Sequence, residues 1–117
     1  MEWLRLPKGW RNMTRKDERV LGEFAAALRK RFPEARVWAF GSRARGDSTE
    51  ESDLDVCVVV ERLDEAVDQE ISHIAWAVGF EHDVVVCPVP FSRQEFETGP
   101  CSQSSIVQNV LREGVPA

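Results

Sequence analysis

The stretch that decides the fold reads GSRARGDSTEESDLD and occupies residues 41–55. Two apolar runs flank it, residues 35–40 before and residues 56–60 after. Short apolar runs bounded by turn residues are typical of buried strands. The sequence therefore predicts that the glycine-serine pair closes one strand and that the two aspartates open the next.

Asp53 and Asp55 are two residues apart in the second of these strands. Side chains with this spacing point to the same face of a sheet, and their backbone positions are about 6–7 Å apart. Two carboxylates this close repel each other unless a cation lies between them or one of them takes a proton. Mg²⁺ is usually held by one or two carboxylates together with phosphate oxygens, so the pair predicts a divalent cation.

The turn at Gly41 and Ser42 offers the complementary half of such a site. Backbone N–H groups and a hydroxyl at the start of a helical turn form an anion site. Arg43 and Arg45 follow at once and fit contacts to phosphate oxygens. A second interpretation is that these arginines only neutralise the nearby acids. Cation and phosphate sites at one sheet edge indicate nucleoside triphosphate chemistry.

The remaining chain predicts alternating helices and strands. A first helix begins after the N-cap Thr14 and ends before Pro33. Strands are predicted at residues 35–40, 53–60 and 82–89, and helices at residues 63–78, from residue 92, and at residues 104–112. In the third strand Asp83 shares a face with Val85 and Cys87, which predicts three carboxylates around the phosphate-binding turn.

Gly79 is expected to cap the second long helix, and Pro88 and Pro90 to mark an edge or an exit of the third strand. Ser92 and Glu95 form a capping box. The last helix is expected to turn Ile106, Val107, Val110 and Leu111 inward and to close at Gly114.

Composition limits the function classes. The chain has 117 residues, 43% of them hydrophobic and 30% charged, which suits one soluble globular domain. Its net charge of −5 argues against an extended basic surface that binds nucleic acid. Three cysteines without a C-x-x-C spacing indicate reduced thiols. No early apolar run predicts a signal peptide or a membrane span, so we expect a cytoplasmic protein.

The domain organisation is predicted as a leader, residues 1–13, followed by a single domain, residues 14–117. The leader carries Trp3 and Trp10 among basic residues. It either packs on the domain's own core or forms part of a partner interface, where tryptophan is enriched. We favour the first interpretation.

Other phosphate and catalytic motifs do not fit. The chain has no Gly-Lys-Ser/Thr P-loop, and its glycines lack the dinucleotide-binding spacing. His73 is expected to be packed on the second long helix, and His82 to lie at a strand end. Neither has a serine or cysteine partner that indicates a catalytic triad.

The motif resembles the signature of the DNA polymerase β-like nucleotidyltransferase superfamily: Gly41-Ser42, ten residues, then Asp53-Leu54-Asp55. The fuller GSRARGD…SDLD run is similar to its minimal nucleotidyltransferase (MNT) branch. The closing SIVQNVLREG, residues 105–114, also resembles that branch's last helix. The similarity extends over nearly the whole chain.

The resemblance implies an α+β fold, with a small mixed sheet and helices packed on one face. It implies that Asp53 and Asp55 hold two Mg²⁺ ions and that Asp83 completes the metal and catalytic site. Gly41 and Ser42 would bind the β- and γ-phosphates of ATP, and Asp83 would help deprotonate an acceptor hydroxyl. Arg45 matches the branch's Ala-Arg-Gly, whereas Arg43 stands at a variable position.

The partner also follows from the resemblance. MNT proteins are commonly paired with HEPN proteins in toxin–antitoxin modules, where the nucleotidyltransferase is the antitoxin and adenylylates the toxin on tyrosine. This chain contains no tyrosine and is expected to lack an acceptor domain, so any tyrosine acceptor belongs to another protein. The leading hypothesis is AMP transfer from ATP to a HEPN-type partner; a homodimer stays open.

Three other functions remain as alternatives. A non-catalytic binding module would neutralise a basic partner by contact, as the acidic charge and apolar leader allow. A small-molecule nucleotidyltransferase, for instance one acting on an aminoglycoside, would need a pocket built between two copies. A glycosyltransferase using the Asp-x-Asp pair would leave the glycine-serine turn unexplained.

Overall fold

The computed structural model describes residues 13–46, 49 and 51–117. The elements in chain order are α1 (Arg15–Arg31), β1 (Arg36–Phe40), α2 (Gly41–Arg45), β2 (Leu54–Val60), α3 (Glu65–His82), β3 (Val86–Ser92), α4 (Arg93–Glu97), a 3₁₀ turn (Pro100–Gln103), α5 (Ser105–Glu113) and β4 (Val115–Pro116). Helices and a single mixed sheet form the α+β architecture that the resemblance implied.

The four strands lie in the order β3-β2-β1-β4. β1 is antiparallel to β2 and to β4, whereas β2 and β3 are parallel. In this register Asp55 lies between Phe40 at the end of β1 and Cys87 on β3. The aspartate pair at the start of β2 therefore lies at the end of the sheet where β1 leads into the glycine-serine turn.

Both faces of β2 are buried apart from Asp55, and the alternation of the strand assigns its apolar side chains to two clusters. Residues on one face join the large cluster formed with α1 and α3: Leu54, Val56, Val58 and Val60. Cys57 and Val59 on the other face join a smaller cluster that includes Phe96 of α4 and Val107 of α5. The two long helices thus share one face as expected, and the short helices add a second layer.

Helix α1 follows the sequence prediction closely. The Thr14 side chain accepts a hydrogen bond of 3.1 Å from the Asp17 backbone N–H, which is an N-cap. Val20, Phe24 and Leu28 are fully buried. Side chains of this size each contribute about 1.5–3 kcal/mol on burial, so this apolar face anchors the helix on the sheet.

Helix α3 and strand β3 differ from the prediction. Helix α3 continues to His82, and β3 begins at Val86 rather than near residue 82. Gly79 was expected to cap the helix but is buried within it, where a Cβ would lie 2.3 Å from the Val84 carbonyl oxygen. The cap is Asp83, with φ 55° and ψ 43°, a conformation that aspartate tolerates better than most residues.

Several side-chain placements also need correction. His73 is exposed, not packed against the core. Ile106 and Leu111 of α5 were expected to point inward but are exposed. Only Val107 and Val110, three residues apart, reach the sheet, because this nine-residue helix rests on the small cluster along one narrow row.

Strand β3 forms an edge of the sheet, as Pro88 and Pro90 predicted. The Leu54 N–H donates to the Val85 carbonyl at 2.8 Å. The backbone N–H and C=O groups of the odd-numbered residues of β3 therefore point toward β2. By alternation the even-numbered residues face outward. Both prolines therefore occupy outward positions, where the missing N–H removes no bond within the sheet.

Little of the predicted leader falls within the described residues. Only Met13 does, and it is buried in the large cluster. The division into a leader and one domain stays a prediction. Among the helices that the structure describes, none combines the length and apolar character needed to cross a bilayer.

Candidate active site

Asp53 and Asp55 form the acidic pair at the start of β2. Asp53 is exposed just before the strand, and Asp55 is half-buried within it. Burial and the charge of Asp53 both raise the pKa of the Asp55 carboxyl above its ordinary value of 3.8. The mutual repulsion expected from the sequence is therefore present, and a cation between the two carboxylates would relieve it.

Gly41 lies directly against this pair. Its φ is +79°, and a Cβ at this position would stand 2.5 Å from Oδ2 of Asp55. A side chain is excluded here both by the backbone conformation and by lack of space. The glycine-serine turn and the acidic pair, eleven residues apart at their nearer ends, are thus in van der Waals contact.

Ser42 and Arg45 lie on the short helix α2 that follows Gly41. Ser42 is half-buried in its first turn, and Arg45 is exposed at its end. Gly46 then closes the helix in the left-handed conformation, with φ 81°. Ser42 therefore directly follows the residue that contacts Asp55, and Arg45 lies about one helical turn further along α2.

Arg43 is placed differently from its neighbours, because its side chain is buried. Its Nε donates to the Ser52 carbonyl at 2.6 Å, and its Nη1 donates to Asp17 Oδ1 at 2.8 Å. Only 8% of Arg43 and 1% of Asp17 is exposed. The phosphate contact predicted for Arg43 stays a prediction, but two nitrogens of this guanidinium are engaged within the protein.

Asp17 is a residue that the sequence analysis missed. It stands on the apolar stripe of α1 at helical spacing from Val20, Leu21 and Phe24. An acid on such a stripe is costly to bury unless it is paired. That position alone could have signalled a buried cation partner elsewhere in the chain.

Asp83 belongs to a different secondary-structure element from the other two predicted carboxylates. It caps α3 and lines a cavity of about 650 Å³ together with Thr14, Lys16, Asp17, Arg43, Thr49 and Glu51. Among the described residues, Asp53, Asp55 and Asp83 do not bring three ligand atoms within 4.8 Å of one another. Their roles stay predictions, and Asp83 would have to act from this neighbouring cavity.

Cys87 occupies the place on β3 where the third acid was expected. It pairs with Asp55 across the parallel strands. Burial, then the charges of Asp55 and Asp53, raise the pKa of its thiol. Because β3 begins only at Val86, Asp83 lies outside the strand. A neutral thiol, in place of a third carboxylate, therefore lies beside Asp53 and Asp55.

A separate cluster joins α1 to the end of α3. The ligand atoms of Glu23, Glu81 and His82 lie within 4.8 Å of one another, and the His82 ring contacts the Glu23 carboxylate. Glu23 and Glu81 are exposed. This cluster could bind a cation, but it contains none of the predicted site residues.

The predicted residues fit a divalent cation and a phosphate group at one place. Two carboxylates, one with a raised pKa, offer hard oxygen ligands. Because Gly41 has no side chain, the backbone of the turn can approach the Asp55 carboxylate closely. Asp53 and Asp55 would therefore hold the cation, and the turn at Gly41 and Ser42 would receive the phosphates.

Comparison with known proteins agrees with this geometry. The nucleotidyltransferase domain family matches residues 21–115, and the chain belongs to that family. It is also 37% identical, over 59 residues, to a Methanocaldococcus jannaschii protein provisionally named a protein adenylyltransferase. That alignment spans 50% of this chain and 60% of the relative. No solved structure matches the chain significantly.

The raised pKa of Asp55 predicts how stability changes with pH. In metal-free buffer, the folded protein binds a proton more tightly than the unfolded chain, so stability falls as pH rises above about 3.8 through the raised pKa. We expect Asp55→Asn to raise the melting temperature at pH 7 and to leave it nearly unchanged at pH 3. Thermal unfolding with EDTA at both pH values tests this.

Asp53→Asn is the graded control for that measurement. It removes the charge that raises the pKa of Asp55 but leaves the burial. Its gain in melting temperature at pH 7 should be smaller than that of Asp55→Asn. Equal melting temperatures for all three proteins at pH 7 would contradict the prediction.

Cys57 gives a prediction on thiol reactivity. Burial raises the pKa of its thiol to about 12, so only about one molecule in 10⁴ carries a thiolate at pH 8. We expect iodoacetamide to leave Cys57 unmodified in the native protein and to alkylate it after denaturation. Peptide mass spectrometry distinguishes these states, and rapid native labelling of Cys57 would refute the prediction.

Proposed function

We propose that this protein transfers AMP from ATP to a hydroxyl group of a partner protein in a Mg²⁺-dependent reaction. The observation that carries the proposal is the contact between Gly41 and the Asp55 carboxylate, with Asp53 just before the same strand. A phosphate-binding turn and a cation-binding pair in contact suit a metal-bound triphosphate. Membership of the nucleotidyltransferase domain family supports the transfer chemistry.

In this proposal the predicted site residues other than Arg43 have defined roles. Gly41 and Ser42 bind the β- and γ-phosphates, and Asp53 and Asp55 hold two Mg²⁺ ions. When bound, the cations supply charge that stabilises the attacking and leaving oxygens of an in-line displacement. Arg45 neutralises phosphate charge from the end of α2.

Asp83 serves as the third carboxylate and accepts the proton of the acceptor hydroxyl. The acceptor oxygen then forms a bond to the α-phosphorus, the bond to the β-phosphate breaks, and pyrophosphate leaves. The cavity of about 650 Å³ that Asp83 lines has room for an acceptor side chain.

The acceptor is proposed to be a HEPN-type toxin, with this chain as its antitoxin. The motif's similarity to the MNT branch supports that pairing, and the name of the archaeal relative supports a protein acceptor. The chain has no tyrosine, so a tyrosine acceptor would belong to the partner. A cytoplasmic location fits both molecules.

One observation favours a second candidate, a binding module that acts by contact. Trp76, Phe80 and Val85 are 65%, 76% and 64% exposed, and the two aromatic rings stack at 5.2 Å. They line a groove of about 690 Å³ between α3 and β3. Exposed apolar surface of this kind marks protein interaction sites.

The experiment combines the protein with the product of its neighbouring reading frame and α-³²P-labelled ATP, GTP, CTP or UTP. Label from ATP on the neighbour, lost with EDTA, would support the proposed reaction and acceptor class. Absence of label with every nucleotide, while a tight complex forms, would favour the binding module. Toxin neutralisation by an inactive Asp53→Asn variant would favour it as well.

A further inference from the structure

The guanidinium of Arg43 bridges the two ends of the connection that contains the motif. Arg43 stands two residues after Gly41, and its Nε donates to the carbonyl of Ser52, the residue before Asp53, at 2.6 Å. One side chain thus joins the end that carries the glycine-serine turn to the end that carries the acidic pair.

Asp17 anchors that bridge to the core. Its Oδ1 accepts a hydrogen bond of 2.8 Å from Nη1 of Arg43. Asp17 belongs to the first turn of α1, whose Val20 and Phe24 are fully buried. The guanidinium is therefore anchored to α1, which lies outside the connection whose two ends it joins.

Stability alone gives a poor account of this pair. Removing two charges from water is costly, and buried ion pairs can often be exchanged for apolar side chains of similar volume without loss of stability. Asp17 Oδ2 adds to the cost, because it is buried and has no hydrogen-bond partner in the described part of the chain. What an apolar pair could not do is donate a directed hydrogen bond to the Ser52 carbonyl.

We propose that the ion pair of Asp17 and Arg43 is a positioning device that holds the Gly41–Ser42 turn in register with Asp53 and Asp55. It rests on the proposed function, because its purpose is to let one metal–nucleotide complex contact both halves of the site. Arg43 is a positioning residue here, acting through the Ser52 carbonyl. Asp17 acts through Arg43.

The test measures how strongly a cation and a nucleotide assist each other's binding. The probes are Mn²⁺ and α,β-methylene-ATP, titrated calorimetrically so that no acceptor is needed. The affinity for the nucleotide with Mn²⁺, divided by the affinity without it, gives the coupling. We expect coupling of at least about tenfold in the wild type, as for ligands that share a site.

The double variant Asp17→Leu/Arg43→Met separates positioning from stability. We expect its melting temperature to stay near that of the wild type, because no unpaired charge remains buried. Its coupling should fall to about one, since the turn and the acidic pair lose their common restraint. Arg36→Met is the matched control: it breaks a 2.9 Å ion pair with Glu97 at the end of β1 opposite to Gly41 and should retain full coupling.

Three results would overturn the inference, and they are distinguishable. Wild-type coupling in a folded double variant would show that the pair does not position the site. Loss of coupling in Arg43→Met but not in Asp17→Asn would make Arg43 a direct phosphate ligand. Absence of Mn²⁺-dependent nucleotide binding in the wild type would refute the proposed function itself, and the positioning role with it.

Discussion

We expect Asp53→Asn or Asp55→Asn to lower nucleotide transfer by at least about 10³-fold, equivalent to about 4 kcal/mol of transition-state stabilisation. Asparagine keeps the size of each side chain but removes the charge that holds a cation. The fold should survive both changes, since Asp53 is exposed and Asp55→Asn relieves repulsion. Rates of label transfer to the partner, with folding checked by circular dichroism, measure the effect.

Asp68→Asn is the control for these variants. Asp68 is an exposed carboxylate in the first turn of α3, outside the motif. Its substitution should leave transfer within about twofold, because surface changes of this kind rarely alter stability by more than about 0.5 kcal/mol. If Asp53→Asn and Asp68→Asn transfer label equally well, the acidic pair is not a catalytic cation site.

Gly41→Ala is the second substitution with a large expected effect. A methyl group there would meet Oδ2 of Asp55 at 2.5 Å, on a backbone with φ +79°. We expect a loss of about 1–3 kcal/mol in unfolding free energy from the strained backbone. Transfer should fall by about 10²-fold, because the added methyl group would push the turn away from the Asp55 carboxylate and misplace the two halves of the site.

Gly22→Ala provides the matched change without the contact. Gly22 is exposed within α1, and a Cβ there meets nothing within 4 Å. It should raise the unfolding free energy by about 0.5–1 kcal/mol through its helix propensity and leave transfer unchanged. Chemical denaturation and the transfer assay test both variants; full activity in Gly41→Ala would show that the close approach is dispensable.

The sequence predicts well those features that short-range patterns control. Thr14 caps α1, Ser92 and Glu95 form the expected capping box, and Gly114 closes α5. Each depends on groups within a few residues of one another. The alternation in β2 likewise identifies the two buried faces, since every second side chain points the same way.

The errors arise where distant parts of the chain decide the outcome. Gly79 resembles a helix end, yet it is used for a close approach to the Val84 carbonyl, so α3 runs on to His82. Asp83 consequently leaves the strand. The pairing of Asp17 with Arg43, 26 residues apart, and the short strand β4 beside β1 also depend on contacts that no local pattern encodes.

The prolines on the sheet's borders determine what can join it. Pro88 and Pro90 occupy the outward positions of β3, and β4 ends the opposite border with Pro116. A neighbouring polypeptide finds carbonyl groups but no N–H groups at these positions, so it cannot continue the ladder there. Strand addition is therefore opposed at these positions of the two borders, which disfavours fibril formation and favours a binding protein that recognises side chains.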